Sequence, residues 1–97
     1  VGVNNKTTIM KTIKDLQFKE HPLRINNCQR AIMYFNNNYG VSVLFGNIFY
    51  SNGIDTYEVA VLYDGVITYD TDITDDVIGY QTAEDVTEIM KRVQQLK

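Results

Sequence analysis

The stretch TYEVAVLYDGVITYD, residues 56–70, decides the fold. Two runs of β-branched and aromatic residues flank Asp64-Gly65, and such runs favour a pleated, half-buried strand. A type I′ turn needs positive φ at both central positions, which makes Asp-Gly a strong two-residue hairpin signal. Working upstream, Val41–Tyr50 and Gln29–Asn36 have the same strand character. Their boundaries are turn clusters, Asn36-Asn37-Asn38-Tyr39-Gly40 and Ser51-Asn52-Gly53. Short connections force neighbours to pair antiparallel, so residues 29–70 read as a four-stranded meander with Val66–Asp70 as its last strand. Alternation puts Val41, Val43 and Phe45 on one face, and Tyr57, Val59, Val61 and Tyr63 likewise share a face. The opposite positions (Leu44, Ala60, Leu62, Ile67) are too apolar for a solvated surface, so the N-terminal segment or a second copy of the chain is expected to cover part of it.

Working downstream, Thr82 followed by Asp85 is a capping-box pattern ahead of Val86, Ile89, Met90, Val93 and Leu96, a stripe at helical period. Acidic residues (Glu84, Asp85, Glu88) lead and basic residues (Lys91, Arg92, Lys97) trail, the order the helix dipole favours. A helix over 83–96 is expected, with its stripe on the sheet. Ile9, Ile13 and Leu16, capped by Thr8 or Thr12, predict a short N-terminal helix, and residues 71–81 read as a loop. The fold class is therefore α+β: a four-stranded antiparallel meander, a C-terminal helix packed on one face and a short N-terminal helix.

Ninety-seven residues, 44% hydrophobic and 22% charged, have globular composition. Residues 10–97 read as a single domain, and 1–9 as a disordered or artificially appended extension ahead of a natural start at Met10. The uncharged segment Ala31–Ile54 is broken by asparagine, serine and glycine, so it is no lipid-facing helix, and no signal peptide is visible. One cysteine, Cys28, permits no internal disulfide and fits a reducing cytoplasm. With one His, His21, beside the only proline, neither a nucleophilic triad nor a zinc site can be assembled. Neither GxGxxG nor GxxxxGK occurs. No catalytic residue, metal ligand or cofactor is assigned, and the chain is read as non-enzymatic.

Charge is distributed unevenly. Residues 1–30 balance at +4, residues 55–90 carry ten acids and no base, and 91–97 add +3. Such a run projects a negative field, and Tyr57, Tyr63, Tyr69 and Tyr80 lie within it. Tyrosine provides large contact area at low entropic cost. Asp64, Tyr69, Asp70, Asp72, Asp75, Asp76 and Tyr80 are the candidate partner-binding residues, for a basic host protein. Direct nucleic-acid binding is disfavoured by the scarcity of free cations. One alternative reads Asp70, Asp72, Asp75 and Asp76 as a divalent-metal or small-ligand site. Its Asp-x-Asp opening is EF-hand-like, but Asp75 stands where the loop needs glycine and Gln81 where it needs the bidentate glutamate. Another alternative is a structural role through self-association: Ala31, Ile32, Met33, Tyr34 and Phe35 form an uncharged edge suited to a homodimer.

KTIKDLQFKEHP (11–22), NYGVSVL (38–44), YEVAVLYDG (57–65) and ITYDTDITDDVIGYQTAEDVTEIM (67–90) together resemble small, uncharacterised accessory proteins of tailed bacteriophages. The resemblance implies an accessory protein working in a host bacterial cytoplasm, of the kind that binds and modulates a host defence or nucleic-acid-processing factor. It assigns no catalytic residue.

Overall fold

Alternating β-branched and aromatic residues between turn-formers do pair as strands. A computed structural model describes residues 10–23, 27–74 and 76–97, so the expected extension at 1–9 lies outside the described residues. Six antiparallel strands form one sheet: β1 (Lys19–Glu20), β2 (Gln29–Tyr34), β3 (Tyr39–Phe45), β4 (Tyr57–Tyr63), β5 (Val66–Ile67) and β6 (Ile78–Gln81). The spatial order is β1-β2-β3-β4-β5, and β6 pairs with β4 as well. The expected meander is thus present as β2 to β5 in chain order. It is extended by β1 outside β2, and by β6 beside β5 along the outer edge of β4.

Helix α1 (Ala83–Gln94) packs on β3 and β4. Thr82 caps it as expected: its side chain accepts from the Asp85 amide and the Asp85 carboxylate accepts from the Thr82 amide. Val86, Ile89, Met90 and Val93 are buried against Ala31, Val41, Val43, Val59 and Val61. At the other end, Asn37 reaches across from the β2–β3 turn. Its Nδ2 donates to the carbonyls of Val93 and Leu96, both at 2.9 Å, tying the turn to the C-terminal end of α1.

Thr8 and Ile9 of the expected N-terminal helix lie outside the described residues, and its described residues form no α-helix. In its place Ile13–Asp15 make one 3-10 turn. Thr12, the residue before the turn, closes a capping box with Asp15, and Leu16 then turns extended to enter the core. The turn is held on α1 by the Ile13 amide donating to Thr87 Oγ1 (3.2 Å). Reciprocal bonds between the Lys11 backbone and the Gln94 side chain, both 2.8 Å, add to this. The described N-terminal residues therefore lie on the helix side, and on the opposite sheet face Ile32, Tyr34 and Ile67 are exposed while Ala60 and Leu62 are buried. On that face the register aligns Tyr34, Gly40, Leu62 and Ile67 in one row and Ile32, Ser42 and Ala60 in the next.

Candidate functional site

The candidate binding residues follow the outer edge of β4. Asp64 and Gly65 form the expected tight turn, with φ of 51° and 86°, and the Asp64 amide donates to the Asn38 carbonyl (3.0 Å). Beyond β5 the Thr68 amide still bonds the Val61 carbonyl (2.9 Å), after which the chain leaves the sheet until Ile78. Within this excursion threonine hydroxyls satisfy the backbone. Oγ1 of Thr68, Thr71 and Thr74 accepts from the amides of Asp70, Ile73 and Asp76, at 3.3, 3.2 and 3.0 Å. Such local turns let a segment hold shape without a ladder partner. Ile73 anchors the loop on the core, and Arg92 Nη2 meets the Asp72 carbonyl at 3.4 Å.

The hydroxyls free the carboxylates. Asp64, Asp70, Asp72 and Asp76 are exposed. Only Asp76 uses its side chain internally, accepting from the Val77 amide (2.7 Å). Tyr69 also projects into solvent. Asp75 lies outside the described residues. Among those described, no cluster of three or more His, Cys, Asp or Glu is arranged to hold a metal ion, and no helix is long and apolar enough to cross a membrane.

Tyr80 is placed by a feature the sequence reading missed. Residues 78–81 were expected to belong to a loop, yet they pair with β4, Tyr57 opposite Gln81 and Val59 opposite Ile78. Two residues, Gly79 and Tyr80, therefore stand against one, Glu58, which makes a β-bulge, a device that re-aims a side chain. Tyr80 takes φ of 56°, uncommon for a bulky residue, and its ring is exposed. The 46–56 loop holds it there: the Tyr80 amide donates to the Tyr50 carbonyl (2.8 Å) and the two rings meet edge-on at 6.3 Å. Tyr50 in turn donates its amide to Glu58 Oε1 (2.9 Å). The loop is longer than the Ser51-Asn52-Gly53 turn expected, and Asn52 organises it: Oδ1 accepts from the amides of Ile54, Asp55 and Thr56.

The candidate residues thus form a strip rather than a pocket. Asp64 and Tyr80 stand at opposite ends of β4, about 20 Å apart at the rise of an extended strand, with the Tyr69–Asp76 excursion between them. Tyr50, Ile48 and Ile54 add exposed apolar surface in the loop beside Tyr80, and none was singled out from the sequence. Two open clefts lie away from this strip. One of about 290 Å³ is lined by Gln17, Lys19, Glu20, Arg30 and Ile32. Another of about 450 Å³ lies between the β2–β3 turn and Gln94.

The proposed dimer residues divide by parity. Ala31 is buried and Met33 and Phe35 pack against the core. Ile32 and Tyr34 alone are exposed, at 41% and 57%.

No protein-family model, curated protein or solved structure matches this chain.

Proposed function

We propose that the chain is a non-enzymatic protein-binding module, a phage accessory protein that engages a basic host protein in the bacterial cytoplasm through the acidic, tyrosine-bearing strip along β4. One observation carries the reading. The carboxylates of Asp64, Asp70 and Asp72 make no hydrogen bond or ion pair among the described residues, while the amides around Asp70, Ile73 and Asp76 are satisfied by threonine hydroxyls. Charge that stabilises nothing internally is available to a partner, and like-signed charge along one edge steers oppositely charged surfaces. The exposed Tyr69 and Tyr80 supply the apolar contact that charge alone lacks. A modulator of a host defence or nucleic-acid-processing protein fits this chemistry, because such proteins carry basic surfaces for nucleic acid.

Affinity capture from bacterial lysate tests the reading, comparing the natural chain with one carrying Asp64→Asn, Asp70→Asn, Asp72→Asn and Asp76→Asn. All four positions are exposed, so the fold is expected to persist. A stoichiometric basic partner should be retained by the natural chain, released by added salt and lost from the variant. Equal retention by both chains, or no stoichiometric partner, contradicts the proposal.

A further inference from the structure

The outer edge of β2 carries an unfinished ladder. The Phe35 amide donates inward to the Tyr39 carbonyl (2.7 Å), so by alternation the backbone groups of Ile32 and Tyr34 point away from β3. On that outer side the His21 amide bonds the Cys28 carbonyl (2.8 Å), and β1 pairs only Glu20 with Gln29 and Lys19 with Arg30. The chain before Lys19 then turns toward the core, where Phe18 and Leu16 pack. Among the described residues nothing pairs with the edge at Ile32 and Tyr34.

We infer that a second copy of this chain completes this edge, β2 of each protomer pairing antiparallel about a two-fold axis at Met33. In that register Ile32 of one copy faces Tyr34 of the other, and both residues already aim N–H and C=O outward. Each such facing pair exchanges two hydrogen bonds, so the axis yields four.

Charge favours a second copy over a different strand. A two-fold axis brings side chains of the same region together, so an edge that pairs with itself must avoid like charge. Residues 31–54 contain none, and the proline or lysine that blunts an unpaired edge is absent. Ile32 and Tyr34 lie on the sheet face away from α1 and are exposed, so the contact also brings these two side chains of each copy together. Four hydrogen bonds and two side chains per copy bury less than the roughly 1,200 Å² of a standard interface, so the expected dimer is a weak, concentration-dependent one.

The arrangement has a consequence for the β4 strip. β2 and β4 lie on opposite sides of β3, so self-pairing at β2 leaves the two acidic strips at the outer ends of one continuous sheet. The dimer is then bivalent, and a partner with two basic sites gains avidity without any new contact.

Sedimentation of the full chain between about 1 and 100 μM tests this. The mass should rise from 11.2 kDa toward twice that value. Ile32→Lys should weaken the association at least about tenfold, as edge lysines do. Mixing Ile32→Lys with Tyr34→Glu sets lysine opposite glutamate once per heterodimer and should restore association above that of either variant alone. This rescue also separates loss of pairing from loss of folding. A monomer at every concentration overturns the proposal. So does a dimer indifferent to Ile32→Lys, or a mixture that associates no better than its parts.

Discussion

Met90→Ala is expected to lower stability by about 2–5 kcal/mol, the range for removing a long side chain from a packed core. Met90 has no solvent exposure and lies in the cluster between α1 and the valines of β3 and β4. Its neighbours on the helix stripe, Val86 and Val93, are equally buried and fixed by the capped helix, so they cannot readily close the space. Whole domains are stable by only about 5–15 kcal/mol, so the loss should be plain in the midpoint of urea unfolding, with the slope unchanged. Val86→Ala deletes less volume and Ile89→Ala leaves a less enclosed site, and both should fall lower on the same scale. A Met90→Ala cost under about 1 kcal/mol would mean that the stripe is not the centre of the core.

Gly46→Ala is expected to be nearly as damaging although it adds one methyl group. Gly46 directly follows β3 with φ of 141°, and a Cβ there would lie 2.8 Å from Cys28 Sγ and 3.1 Å from Cys28 Cα. Backbone strain and overpacking each cost about 1–3 kcal/mol, so a loss of about 2–6 kcal/mol is expected in the same urea experiment. Relief of the Sγ contact by Cys28→Ala should recover only part of the loss, because the backbone contact and the φ remain. Complete recovery would locate the whole effect in the thiol.

How much of this was legible follows from which interactions are local. The Asp64-Gly65 hairpin and the capped helix are specified by residues a few positions apart, and both formed where the sequence placed them. The strand β6 was not legible, because its pairing is with β4, some twenty residues upstream, and Gly79 and the positive φ of Tyr80 break the alternation that marks a strand. β1 is two charged residues, Lys19 and Glu20, without an apolar partner to reveal a face. The N-terminal helix was misread for a different reason. Ile13 and Leu16 are spaced three apart, which a 3-10 turn satisfies as well as an α-helix, and the extended backbone of Leu16 ends the turn at once. For the candidate surface, charge bias identified the acidic residues, but only the bulge and the Tyr50 bracket explain how Tyr80 comes to face solvent.

The central claim is that residues along the outer edge of β4 meet a basic protein. Amide hydrogen exchange of the chain, alone and saturated with the partner retained in affinity capture, tests it most directly. The proposed binding mode predicts slowed exchange across the described residues of 68–80 and at Asp64, with α1 unchanged. Slowing confined to α1 or β2, with none between 68 and 80, would contradict it.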